Sequence, residues 1–234
     1  MPHTLTIVIR NLSQSKMQFY AFQHPAAYQS SGSVLQSSSA SLATGAVLPY
    51  KSSGSTLQFQ FERQPHVAAF SNQAKFAMLV KPQPFESAAQ TSVVANWPIA
   101  LTPKDQTKQV PNDAQLTVGS LGLSMPVYAS GIPEGNFGIQ IPSYTPTGGL
   151  KLHCGNGIKV KNTQVVLSSY VTPAPVSHIF CAPKPKFYVK TGNHPVGSPI
   201  SFSATGAALC DFTHGYSTCN VDYQSDGSFT VHRQ

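Results

Sequence analysis

The chain has 234 residues, of which 41% are hydrophobic and only 10% charged, with 15 Lys and Arg against 8 Asp and Glu. This is enough apolar material for a full core, but the charged fraction is far below the about 25% of ordinary domains, so solubility must rest on Ser, Thr, Gln and Asn. Such a surface repels its own copies weakly and suits self-association, although it suits a neutral secreted domain equally well.

The positive balance is not the footprint of a nucleic-acid-binding protein. Arg10, Arg63 and Arg233 are the only arginines and the lysines are scattered; Lys184, Lys186 and Lys190, set among prolines, come nearest to a cluster. No membrane insertion is expected, because runs such as Leu5 to Ile9 and Phe76 to Val80 fall far short of the ~20 residues of a spanning helix. Met1-Pro2-His3 leads straight into a strand pattern without a secretory leader. That start fits a chain retained in the cell, one exported unconventionally, or one numbered after removal of a leader.

Leu5, Ile7 and Ile9 alternate with Thr4, Thr6 and Val8 at the strand period. Asn11 to Lys16 supplies turn residues, and Met17 to Gln23 resumes as a strand with Phe19 on one face and Tyr20 and Phe22 on the other. A strand apolar on both faces is covered on both, so its second face is either core or a contact with a partner. Tyr20 and Phe22 are the candidate self-assembly surface.

Gln29 to Ala46 reads as a Ser/Gly/Ala connection, and Thr56 to Arg63 as the clearest strand, with Leu57, Phe59 and Phe61 opposite Gln58, Gln60 and Glu62. Short strands are then expected at Lys75 to Val80, Thr91 to Trp97, Gln115 to Val118, Val127 to Ala129, Phe137 to Ile141 and Thr163 to Tyr170. The Ala-rich stretches Val67 to Phe70 and Ser87 to Gln90 allow a turn or two of helix. Gly and Pro punctuate these segments, which argues for an all-β fold: an antiparallel β-sandwich, jelly-roll-like, of about 10–13 short strands with little helix. We read residues 1–234 as a single domain, with a polar seam at Thr102 to Asp113 and a Pro-rich crossing at Val171 to Lys186.

At the C-terminus, a two-residue turn at His214-Gly215 would set Cys210 opposite Cys219 in a non-hydrogen-bonded pair, within disulfide reach. A three-residue turn at Ser225 to Gly227, with Gly227 left-handed, places Val221, Tyr223, Phe229 and Val231 on one face. The hairpin leaves Cys154 to pair with Cys181 or with another molecule; four free thiols in a reducing cell are the alternative.

Little in the residues points to catalysis or a cofactor. His153-Cys154, His178-x-x-Cys181 and Cys210-x-x-x-His214 put imidazoles beside thiols, but paired Cys-x-x-Cys knuckles are absent and no metal site is expected. The eight carboxylates are widely spaced, no Gly-x-Ser-x-Gly elbow occurs, and Gly155-Asn156-Gly157 lacks the features of a phosphate loop. Asn11-Leu12-Ser13 is the one N-glycosylation sequon, relevant only on the secretory route.

Several motifs of the N-terminal part are similar to those of a known family. Asn11-Leu12-Ser13, Phe19-Tyr20-Ala21-Phe22-Gln23-His24-Pro25, Tyr28, Leu48-Pro49-Tyr50 and Leu57 to Gln64 resemble the RhiA-like proteins. These comprise rhizosphere-expressed bacterial proteins and the related fungal crystal-matrix proteins called OCTIN. The resemblance covers roughly the first hundred residues, and Ala21 interrupts the aromatic run of the family pattern. It implies no enzymatic activity and no catalytic residues. It further implies a partner in copies of the same chain, high-order assemblies with intermolecular disulfides, and in the fungal branch vacuolar crystals that serve gravity sensing. The implied location is an oxidising or storage compartment: a vacuole if fungal, the periplasm or exterior if bacterial. The alternative function is a glycan-binding β-sandwich that uses exposed Tyr or Trp97 as a stacking platform.

Overall fold

The alternation at Leu5, Ile7 and Ile9 becomes strand β1 (Thr4–Asn11) in the computed structural model, with all three side chains buried. The structure describes residues 4–71, 95–105, 107–118, 121–146, 152–160 and 164–233. Within these, β2 (Met17–Gln23), β3 (Ala27–Ser30), β4 (Ser33–Leu35), β5 (Ser38–Val47), β6 (Leu57–Glu62), β7 (His66–Ser71) and β8 (Ala95–Pro98) follow. Next come β9 (Asp113–Thr117), β10 (Gly122–Leu123), β11 (Phe137–Ile141), β12 (Leu152–Val160), β13 (Gln164–Val171) and β14 (Ser177–Ala182). The last are β15 (Lys186–Thr191), β16 (Pro199–Ile200), β17 (Ala208–Asp211), β18 (Thr218–Tyr223) and β19 (Phe229–Arg233), and the one helical turn is α1 (Tyr50–Ser53).

The strands form two sheets. The larger has 13 strands, running β17-β15-β2-β5-β13-β12-β6-β1-β18-β19, with β16 on β5, β7 on β12 and β8 on β7. It curls until its end strands β17 and β19 lie side by side, which makes it nearly a barrel. The smaller has 6 strands in the order β10-β9-β11-β14-β3-β4. The fold is therefore all-β as expected, but its sheets are mixed: β1 with β18 and β9 with β11 are parallel.

Two cores result. Inside the barrel lie Ile7, Phe19, Leu42, Phe61, Phe187, Phe212 and Val221, with Phe61 and Phe187 stacked at 4.7 Å. The second core lies between the small sheet (Leu116, Phe137, Ile139, Ile179) and the outer side of β7, β12 and β13 (Val67, Leu152, Val171). Strand β12 serves both, giving Ile158 to the first core and Leu152 and Cys154 to the second.

That double duty needs the β-bulge where the β12–β13 register shifts between Asn156 and Gly157. A bulge breaks the ladder, and the groups it strands here are satisfied by Tyr28 of β3. Its hydroxyl donates to Ser169 O at 2.5 Å and accepts from Asn156 N at 3.0 Å. The Asn156 amide donates to Gln23 Oε1 and Ser168 Oγ, both at 2.8 Å. Gly155 makes the approach possible, since a Cβ there would stand 2.3 Å from the Tyr28 hydroxyl and 2.5 Å from Ser169 O.

Several expectations held. Met17 to Gln23, Phe137 to Ile141 and the strand at Leu57 to Glu62 are observed. The turn before β19 has Gly227 at φ +84°, and Tyr223 faces Phe229 as Val221 faces Val231, so all four share a face. Others are corrected. Gln29 to Ala46 is not a connection but contains β4, parts of β3 and most of β5. Its Ser39, Ala40, Ser41 and Leu42 are buried, and a strand covered on both faces shows no alternation.

Val67 to Phe70 is strand rather than helix, because Ala68 and Ala69 pass closely between β12 and β8. Val127 to Ala129 contributes only the isolated bridge from Val127 to Asp113. The Pro-rich crossing holds β14, between β11 and β3 in the small sheet. The hairpin at His214-Gly215 does not form: β17 pairs with β15, whereas β18 pairs with β1 and β19. Lys75 to Val80, Ser87 to Gln90 and residues 91–94 of the Thr91 to Trp97 strand lie outside the described residues.

Replacing Tyr28 with Phe keeps the ring and strands the Asn156 N–H and the Ser169 carbonyl. Urea unfolding is expected to show a loss of about 2–3 kcal/mol at unchanged m-value; an unaltered midpoint would refute the role given to the hydroxyl.

Candidate functional site

Tyr20 and Phe22, the candidate assembly surface, are covered within the protomer. They face outward from the barrel on β2, but the segment 192–207 folds across them. Tyr20 meets His194 at 4.4 Å, Phe22 stacks on Tyr188 at 5.4 Å, and Phe202 caps Phe22 at 6.0 Å. With Tyr20 at 9% and Phe22 at 1% exposure, neither is available to a second molecule.

The four cysteines are free and fully buried, so the structure contains no disulfide. They nevertheless fall into two neighbouring couples. Cys154 of β12 and Cys181 of β14 face each other across the second core near Tyr28, and burial pushes Cys154 up to about 12 and Cys181 higher still. Cys210 of β17 and Cys219 of β18 meet across the barrel seam, where the Cys219 thiol, ahead of burial, pushes Cys210 well up. The two pairings weighed from the sequence are thus the two juxtapositions, reached by sheet closure rather than by a hairpin.

The histidine–cysteine motifs do not converge. His178 and Cys181 are three residues apart on one strand and so point to opposite faces. His153 and Cys154 do likewise, and His214 lies exposed in the loop beyond Cys210. Among the described residues no group of three or more His, Cys, Asp or Glu could hold a metal. Asn11 of the sequon is fully buried: its amide donates to Ser15 O at 2.7 Å and its oxygen accepts from Ser13 N, a turn role.

The most organised polar cluster lies on the outer face of the small sheet. Parallel pairing of β9 with β11 sets Asp113 beside Gly138, and antiparallel pairing of β11 with β14 sets Gln140 opposite His178. Asp113 Oδ1 lies 3.0 Å from His178 Nε2, and Gln140 Nε2 donates to Asp113 Oδ2 at 2.5 Å. Asp113 is 1% exposed whereas His178 is partly open. Only glycine fits at 138, because a Cβ would stand 2.3 Å from Asp113 Oδ1 and 2.6 Å from His178 Nε2. A carboxylate that fixes an imidazole is half of a nucleophile-activating array, but among the described residues no hydroxyl or thiol is hydrogen-bonded to His178. What the cluster offers is an oriented, partly open imidazole with the Phe180 ring 4.7 Å away.

Sequence reading missed this cluster. The signal available was weak, one carboxylate and one histidine 65 residues apart, and only sheet order brings them together. Beside it is a shallow pocket lined by Thr102, Lys108, Asn112, Tyr128 and Ile132, with room for water-sized occupants of about 30 Å³. That is far below the roughly 300–1,000 Å³ of an organic-ligand site. The Asn112 side chain walls it rigidly, donating to Thr102 Oγ1 and accepting from Ala129 N, each at 2.9 Å. Trp97, the proposed stacking residue, is 41% exposed on β8 and its indole N–H donates to Leu123 O at 2.9 Å.

The loop that joins the seam strands is the other well-defined feature. Asp211 accepts from Thr213 N at 3.0 Å and Thr213 Oγ1 at 2.6 Å, and pairs with Lys186 at 3.0 Å. Arg63 donates to Phe212 O at 3.3 Å and to Tyr216 O at 2.7 Å. Burial opposes ionisation of Asp211, but the Thr213 donors and Lys186 outweigh it and hold the carboxyl down at about 2.

No family model, curated protein or solved structure matches the chain. Among the described residues, no helix is long and apolar enough to cross a membrane.

The Asp211 shift has a defined pH signature. Its folded pKa of about 2 lies below the unfolded value of about 4, so its stabilisation is complete above pH ~4 and lost as pH falls through about 2. Asp211→Asn is expected to be less stable than the parent at neutral pH and to converge with it in acid. Equal stability of the two at pH 7 by urea titration would overturn this.

Proposed function

We propose that this chain is a non-enzymatic structural protein that associates with copies of itself through non-covalent contacts. The observation that carries the proposal is a sheet edge that is uncharged and, among the described residues, unpaired. Natural edge strands are protected by shortness, charge, proline, bulges or cover. Strand β4, Ser33-Val34-Leu35, ends the small sheet; it is short, but it carries no charged residue or proline, no strand among the described residues pairs with its outer edge, and Val34 is 78% exposed. The charge-poor composition lowers the repulsion that would otherwise keep copies apart. The resemblance to RhiA-like proteins, and the storage or oxidising compartment it implies, belong to the same proposal.

Covalent linkage between folded copies is not part of it. A thiol buried in a core meets a second molecule only if the protomer opens, and all four are buried. Association through edges is therefore independent of reductant. Light scattering coupled to size exclusion is expected to show concentration-dependent oligomers with and without reductant, and Val34→Lys, which adds an edge charge, is expected to weaken them at least tenfold. A monomer at all concentrations in both buffers would overturn the proposal.

A second reading, a glycan-binding module, draws on the outer face of the small sheet. Gln115, Gln140 and His178 lie in one row and Gln29 and Phe180 in the next, a mixture of hydrogen-bonding groups and one ring that suits a hydroxylated ligand. Binding on a glycan array that is lost in Gln140→Ala would favour it over assembly; an array without hits would remove it.

A further inference from the structure

We infer that Cys210 and Cys219 are an intramolecular oxidation site, at which a disulfide oxidant converts two buried thiols into a bond stapling the seam of the large sheet. The inference stands on features separate from those behind self-association. The seam comes first. Strand β17 hydrogen-bonds to β15, and β19 to β18, but no ladder joins β17 to β18 or β19. The barrel is closed there by side chains alone, and Cys210 and Cys219 are two of those side chains, both fully buried.

The second feature is preorganisation. The intervening loop, residues 212–217, is pinned at several points. Asp211 holds Thr213, Arg63 holds the Phe212 and Tyr216 carbonyls, Thr6 N donates to Ser217 O at 2.8 Å, and Gly215 takes the left-handed turn at φ +89°. Once one of two thiols held on a fixed frame carries a mixed disulfide, the other attacks it faster than a thiol from solution does. The third is access. Cys219 is paired in register with Arg233 near the end of the outermost strand β19, whose residues are all exposed or half-exposed. Terminal strands open locally at low cost. The neighbouring Cys210 thiol and Arg233 favour ionisation of Cys219, which suits it to attack first.

The chemistry balances with oxidised glutathione as oxidant. The Cys219 thiolate attacks one sulfur of the glutathione disulfide, that S–S bond breaks, and one glutathione thiolate leaves. Cys210 then loses its proton and attacks the Cys219 sulfur of the mixed disulfide, expelling the second glutathione. Two protein thiols are oxidised by two electrons, and one glutathione disulfide is reduced to two thiols.

The test uses the intact folded chain, incubated with oxidised glutathione and compared with a reduced sample. Titratable thiols are expected to fall from four to two, with the chain lighter by two hydrogens and a single linked peptide containing Cys210 and Cys219. The thermal midpoint should rise by roughly 5–10 °C, as expected for closing a short loop in a chain of this size. In a Cys154→Ser/Cys181→Ser double variant the titratable thiols should fall from two to none, with the same linked peptide. Four thiols still free after prolonged oxidation would overturn the inference. So would glutathione left attached, a bond between two chains, or a link between Cys154 and Cys181 instead. These outcomes are read on the parent chain and do not depend on a variant folding. They are also distinct from the oligomer measurement, because an intrachain bond leaves the mass of the assembly unchanged.

Discussion

The fold depends on the hydroxyl of Tyr28. Strand β12 has to line the barrel with Ile158 and the second core with Leu152 and Cys154, and it changes allegiance through the bulge at Asn156. A bulge in the middle of a protein is costly, because its backbone groups face other groups rather than water. Tyr28 reaches from the small sheet to supply both an acceptor and a donor at that point. The hydroxyl that satisfies the bulge also fixes the small sheet against the large one, so sheet packing and local satisfaction are a single event. Gln23, Ser168 and Ser169, all buried, extend this polar patch. It joins the small sheet to β12, β13 and β2, with the Asn156 Oδ1 left as a buried acceptor without a partner.

The same closure explains the cysteines. Curling the large sheet until β17 meets β19 brings Cys210 to Cys219, and packing the small sheet on β12 brings Cys181 to Cys154. The thiols are packed first as small apolar groups, and the fold is complete without any bond between them. In the proposed self-association, contact between protomers comes from the surface that remains: uncharged edges, Gln-rich rows and a few exposed apolar side chains. The aromatic cluster of Tyr20, Phe22 and Tyr188 is a further, smaller core under the segment 192–207 rather than part of that surface, and only its cap, Phe202, remains partly exposed.

Asp113 shows how a polar site is built without any local motif. Its carboxylate is buried because the absence of a side chain at Gly138 makes room for it, and it is tolerated because His178 and Gln140 occupy its oxygens. The three residues come from different strands, β9, β11 and β14. They share a face because the register of both pairings sets Asp113, Gln140 and His178 on the outer side of the sheet.

The sequence by itself determined that the chain would be all-β, where β1, β2, β6 and β11 would run, and which face of each would be apolar, because strand period and side-chain polarity are local properties. It also fixed the left-handed turn at Gly227 and the shared face of Val221, Tyr223, Phe229 and Val231. Only the tertiary structure decided the rest. Strand β5 and strand β7 are covered on both sides, which erases the alternation by which strands are recognised. Strand β18 pairs in parallel with β1, more than 200 residues away in sequence, and this long-range pairing replaced the local hairpin that the turn at His214-Gly215 suggested. Whether Tyr20 and Phe22 face solvent, which thiols meet, and where a carboxylate finds its histidine depend on sheet order and closure, and no local stretch of residues specifies these.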